Sequence, residues 1–404
     1  MTARNQKQPR KAGSVIGLSL LLLAGITLAG CRKHDFPEYP ANYREFAYVT
    51  NGGSNTVSVF DVVNLRLDRQ LPVGINPTGV TANPKRNEVY VVNSGTAQTS
   101  GSISVIDTEK NAVVATIPVR RLPYFLSVDP SGDLAYVANS GSNSVSVLDL
   151  KGRREIATIG VGEGPGLARI APDGKSLVVT NRVGNSVSIL GLAGAGPADW
   201  RVRKVIEGCP GATDLVILPD STKAFAACSG GHQVIAIALA NSADANRPAR
   251  ADALEALLDV GHSPVQLALK PDGGELFVCN FDSDSISEID TSMNDVRGAY
   301  LMGSHPVHGL VSADNLLLYV SNFRSQELSI YSIEDSKRVA LPMPLHVGDG
   351  PDGLAFSARG NLLFAVDARS GDVAVIRTST RSLFTLLPSG RQPNAIAIKA
   401  FRLP

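Results

Sequence analysis

Tyr48-Val49-Thr50-Asn51 is the first of eight near copies of one short strand. The others begin at Tyr90 (YVVN), Tyr136 (YVAN), Val178 (VVTN), Phe225 (FAAC), Phe277 (FVCN), Tyr319 (YVSN) and Phe364 (FAVD). They follow one another at 42, 46, 42, 47, 52, 42 and 45 residues. A period in the forties, made only of strand and turn signals, is that of a β-propeller, and eight copies imply eight blades.

One repeat, read outward from Gly141, divides into four short strands at residues 122–128, 134–139, 145–149 and 154–159. Each places β-branched or aromatic residues at alternate positions between Gly, Pro, Asn or Asp. The first turn recurs as Pro172-Asp173-Gly174 and Pro271-Asp272-Gly273, where Pro presets φ and Gly accepts a positive one. A lone four-stranded sheet of this kind exposes two apolar faces. Radial stacking buries both, so the repeats are expected to close into a ring. Eight first strands begin with Pro, at Pro77, Pro123, Pro165, Pro210, Pro264, Pro306, Pro351 and Pro393. No such strand precedes Tyr48. Residues 393–398 are therefore expected to become the innermost strand of the first blade, a one-plus-three clasp. The expected fold is all-β, a single closed propeller of eight four-stranded blades, with seven blades and an appendage as the alternative.

These strand motifs resemble the bacterial family of YVTN-repeat β-propeller proteins, over nearly all of residues 47–404. The resemblance implies a shape shared with propeller lactonases and with the haem-bearing propeller of bacterial nitrite reductase. It implies little about activity, because the motif is the packing code of a blade. Cys228 and Asp367 depart from it, each replacing the terminal Asn.

Composition is plain: 44% apolar, net charge +1 and few aromatics. No charge asymmetry points to nucleic acid, and the ring is expected to be a monomer. Residues 1–30 stand apart. Arg4, Lys7, Arg10 and Lys11 precede an apolar run at 15–26 that is short for a membrane span. Leu28-Ala29-Gly30-Cys31 then resembles a bacterial lipobox, which implies a signal peptide over 1–30, a diacylated Cys31 and a tether over 31–46. Arg32 is not the Asp that keeps such proteins at the inner membrane, so the expected location is the cell envelope, at the outer membrane. Cleavage would remove four of the 38 basic residues and none of the 37 acidic ones, leaving a net charge of −3.

Cys209 precedes Pro210, and Cys228 ends the neighbouring antiparallel strand, so a bridge between them is reasonable in an oxidising compartment. Two separate buried thiols are the alternative. Cys279 sits within a strand and is expected to stay a free, buried thiol.

Loops leading into the innermost strands, and those after the YVTN-like strands, share one face of a propeller. Ligand candidates on that face are His262, His305, His308, Arg182 and Arg324: imidazoles can bind metal or act as bases, and guanidinium groups hold anions. His232 belongs to the same cluster, with His346 nearby. Asp282, Asp284, Asp349, Asp352 and Arg369 also map there, and a solvated loop surface accounts for them. Asp61, Asp107, Asp149 and Asp290 recur after the third strand of a blade and read as turn caps. Residues 241–258, with a helix-like stretch at 251–258, and 191–205 read as surface elaborations of blades 5 and 4.

No GxSxG elbow, P-loop, dinucleotide fingerprint or CxxCH motif is present. The sequence therefore points first to a non-enzymatic scaffold without cofactor or metal, binding an envelope protein, a polysaccharide or a small molecule. A lactonase-type hydrolase with a channel-mouth site is the first alternative. A haem- or metal-handling redox propeller is the second.

Overall fold

The computed structural model describes residues 38–194, 196–240, 252–334, 339–341 and 343–403. Eight antiparallel sheets form the blades, and their innermost strands pack side by side around a full circle. Blade 1 is closed as the Pro pattern implies. The strand Pro393–Arg402 pairs with Tyr43–Asn51, with Asn51 opposite Pro393 and Tyr43 opposite Arg402. The clasp is longer than residues 393–398, and its partner starts four residues before 47. Tyr43, Arg44, Glu45 and Phe46 thus belong to the ring rather than to a tether, because Lys399–Arg402 need a hydrogen-bonding partner. The lipobox and signal segment lie outside the described residues.

The first position of the YVTN motif is the wedge between blades. Tyr48, Tyr90, Phe225, Phe277, Tyr319 and Phe364 are fully buried. Tyr48 packs with Val57, Val59 and Leu71 of its own blade and with Val89, Val91 and Ile106 of the next, while its hydroxyl donates to Asn111 Oδ1 at 2.6 Å. Burying such a ring is worth about 1.5–3 kcal/mol, so the repeat spreads stability evenly around the circle.

The last position of the motif is a lock. Asn51 Nδ2 donates to Thr56 and Ser58, Asn181 to Ser186 and Ser188, and Asn280 to Ser285 and Ser287, in each case joining the second strand of the blade to its third. A glycine packs against this amide: a Cβ on Gly162 would lie 2.5 Å from Asn181, and one on Gly261 2.7 Å from Asn280. The two departures from the motif have local causes. In blade 5 the facing residues are Gln233 and Ile235, and Cys228 is instead joined to Cys209, with Cα atoms 4.9 Å apart. Cys279 is free and buried.

In blade 8, Asp367 faces Asp372, with Ala374 where every other blade except blade 5 carries serine. Burial, a hydrogen bond to Asp372 and the charge of Asp372 push the Asp367 carboxyl up to about 9. The folded state therefore keeps a proton that the unfolded chain releases near pH 4, and stability falls as pH rises from there to about 9. Asp367→Asn restores the amide of the other blades. It should stabilise the ring by ~1–3 kcal/mol, the scale of a buried polar group left short of partners, and most at alkaline pH. Thermal unfolding from pH 5 to 9 checks this, and parallel curves for the two proteins would contradict it.

Three expectations need correction. Pro210 does not open the innermost strand of blade 5. That strand is Ala212–Ile217, and Ala212 takes the register position held by proline elsewhere. Residues 253–258 are not helical but form most of the outer strand Ala253–Asp259, paired with Gln233–Ala238. Residues 201–205 likewise begin the outer strand Arg201–Glu207. The periodic aspartates do cap turns: Asp107 Oδ1 accepts from the Glu109 and Lys110 amides, and Asp149 Oδ1 from that of Gly152.

Candidate functional site

Every innermost strand has a register irregularity just after its first residue, as between Pro306 and His308 or Pro264 and Gln266. Such bulges re-aim the side chains beside them. At the third residue of these strands, blades 5, 6 and 7 carry Asp214, Gln266 and His308, whereas the other blades carry Gly79, Phe125, Leu167, Gly353 and Ala395. At this position, polar side chains are thus confined to three consecutive blades.

Side chains tie this arc from blade to blade. Arg169 of blade 4 lies 3.6 Å from Asp214 of blade 5. Asp214 accepts from the Leu215 amide and, across the blade junction, from that of Leu267, both at 2.8 Å. Gln266 Oε1 accepts from the Gly309 amide of blade 7 at 2.7 Å. The Ser321 hydroxyl is placed to donate to the carbonyls of His308 (3.3 Å) and of Asp352 in blade 8 (2.7 Å). The wall is preorganised by bonds made mostly to backbone, which leaves the His308 ring and the Asp352 carboxyl uncommitted. Neither has a hydrogen-bond partner among the described residues.

Their electrostatics follow from this setting. Burial pulls the His308 imidazole below its ordinary range; Asp214 opposes the shift and Arg169 adds to it. His308 is therefore neutral at pH 7. Burial alone raises the Asp352 carboxyl to about 6. Asp352 is the second residue of the strand Pro351–Phe356 and only partly exposed, so it is not the solvated loop carboxylate that its neighbours Gly350 and Gly353 suggest. Desolvation of an unpaired carboxyl in a channel wall marks a candidate for proton transfer.

The residues singled out from sequence fall into separate places. His308 lines the channel within the strand Pro306–Val311 rather than sitting in a loop. His262 is exposed in the turn before blade 6 and meets His232, ring centres 4.0 Å apart. His305 has φ 59°, bonds Ser304 through Nδ1 at 2.8 Å and packs edge-on against Phe281. Arg182 lies over the Tyr124 ring, and Arg324 is exposed in the turn after the strand Leu317–Asn322 of blade 7. Among the described residues no side-chain hydrogen bond, ion pair or ring contact joins two of these five, although the turns of His305 and Arg324 are bonded side by side through their backbones. Sequence reasoning passed over Arg169, Asp214 and Gln266; the position that Asp214 and Gln266 share with His308, third in the innermost strand, was the available signal for those two. Among the described residues no group of three or more His, Cys, Asp or Glu is arranged to hold a metal ion.

No family model and no curated protein matches this chain. Solved structures do. The chain is similar to the dihydro-haem d1 dehydrogenase NirN (17% identity, 90% of this chain, 77% of that one, TM-score 0.68). It is also similar to the periplasmic gluconolactonase PpgL of Pseudomonas aeruginosa (18%, 90% and 99%, 0.61) and to Kuenenia stuttgartiensis hydrazine synthase (20%, 71% and 92%, 0.56). At these identities the likeness establishes the propeller fold.

Proposed function

We propose that this protein is a propeller hydrolase of lactonase type, held at the cell envelope by a lipid on Cys31. This reading is preferred over the non-enzymatic scaffold. The observation that carries it is the unpartnered Asp352 carboxyl, raised to about 6, on the innermost strand of blade 8, which Ser321 ties to the strand of blade 7 bearing the neutral His308. A base with a pKa just under the working pH is well matched to activating water. The similarity to PpgL, whose name states gluconolactonase activity, supports the same reading.

A cyclic ester against this arc would turn its carbonyl oxygen towards a His308 N–H, which stabilises the developing negative charge. Asp352 takes a proton from water as the water oxygen bonds to the carbonyl carbon. The bond from that carbon to the ring oxygen then breaks, and the proton passes to the departing alkoxide, giving the open hydroxy acid. Exposed Arg182 and Arg324 on the same face favour substrates bearing an anionic group.

The test is acid release at constant pH from five- and six-membered aldonolactones, using protein without a histidine tag. The rate should rise through about pH 6, because the carboxyl must be ionised to act. Asp352→Asn should fold normally, since it replaces a desolvated acid by a neutral amide, and should lose ~10²–10⁴ in kcat. Absence of turnover on the whole panel, full activity in that variant, or a Soret band in the purified protein would each overturn the proposal.

A further inference from the structure

We propose that His232 and His262 form a transition-metal site on the rim of the ring, independent of the channel. The two exposed imidazoles come from different blades: His232 from the turn after Cys228 in blade 5, His262 from the turn leading into the innermost strand of blade 6. Their rings meet with centres 4.0 Å apart and planes at 70°. Two imidazoles on adjacent positions of one metal, with metal–nitrogen bonds of ~2.0–2.1 Å, bring ring centres to roughly 4.5 Å. The separation of the ring centres is within about half an ångström of that value, and rotation of the side chains is what turns one nitrogen of each ring to a common point.

Both turns are fixed in place. The His232 carbonyl accepts from the Val260 amide at 2.7 Å, and the Cys209–Cys228 bridge anchors the strand end from which its turn departs. The His262 amide donates to Ser283 Oγ, and its carbonyl accepts from the Asp282 amide at 3.3 Å. The backbone is thus held while the four ring nitrogens make no hydrogen bond among the described residues. A pair of imidazoles suits Cu²⁺, Zn²⁺ or Ni²⁺. With two protein ligands the remaining positions are open to water or to an added donor, so the site is exchangeable rather than structural.

The probe is Cu²⁺ alone, titrated into metal-free protein purified without a histidine tag and followed by electron paramagnetic resonance, with Zn²⁺ competition as a second readout. One equivalent should bind, with splitting from two nitrogens. His232→Ala and His262→Ala should each weaken binding roughly tenfold or more, as losing even an outer partner of a bound metal does. His346→Ala should bind as the unaltered protein does. Retention of the signal in the double variant His232→Ala/His262→Ala, or wild-type binding no tighter than that variant's, would overturn the proposal. Lactone hydrolysis is not read in this experiment, so either idea can fail alone.

Discussion

Removal of residues 391–404 is expected to abolish cooperative folding of the ring at 37 °C and to give aggregated protein. The deletion strips the innermost strand from blade 1 and leaves the backbone of Tyr43–Asn51 with an open edge. It also withdraws Ile396 and Ile398 from a core containing Ala47, Val49, Phe60 and Phe364, and Phe401 from Phe46. Thr50 loses Asn394, and Asn83 loses the Lys399 ammonium bonded to its carbonyl at 2.6 Å. An exposed, largely apolar strand edge is a template for pairing with another chain. Blades 2 and 8 each lose a neighbour at the same time, and in a repeat protein those nearest-neighbour contacts carry the stability. Size-exclusion chromatography and calorimetry of the truncated chain check this. A monomer with an unchanged melting point would mean that seven blades close without the clasp.

Loss of the Cys209–Cys228 bridge has the next largest expected effect. The two residues are 19 apart and both fully buried. On the loop-entropy account the cross-link contributes ~3 kcal/mol by restricting the unfolded chain. Blade 5 depends on it more than a blade with the Asn–Ser lock would, because Gln233 and Ile235 offer no hydroxyl pair to take its place. Cys209→Ala/Cys228→Ala should lower the denaturation midpoint by a corresponding amount, and reduction of the unaltered protein should do the same. Counting thiols in denatured, unreduced protein gives an independent check. Cys279 should be the only reactive thiol when Cys31 is acylated, and three would refute the bridge.

Blade number and closure were readable because the same two tasks recur in each repeat: an aromatic wedge between blades and an amide lock within one. The channel arc was hidden for the opposite reason. Asp214, Gln266 and His308 share the third position of their strands but no residue type, and the misplaced Pro210 shifted blade 5 out of alignment by two residues. Asp352 sits in Gly350-Pro351-Asp352-Gly353, which has the composition of a turn, yet the pairing of Pro351 with Asp367 and of Leu354 with Ala365 on either side of it holds it within the innermost strand. The Ala, Leu and Glu residues of 253–258 carry helical propensity, and pairing with Gln233–Ala238 overrides it. Side chains facing a shared interior leave a periodic trace. Those facing a ligand do not.

The claim that chemistry occurs in the channel is tested most directly by nuclear magnetic resonance of protein with labelled histidines, of which the sequence has only six. His308 should titrate below the ordinary imidazole range, since burial disfavours its cation. Addition of an aldonate, the product of lactone opening, should shift the His308 signals while leaving His232, His262 and His346 in place. A His308 resonance that titrates normally and does not respond to aldonate, in protein that still opens the lactone, would contradict the account.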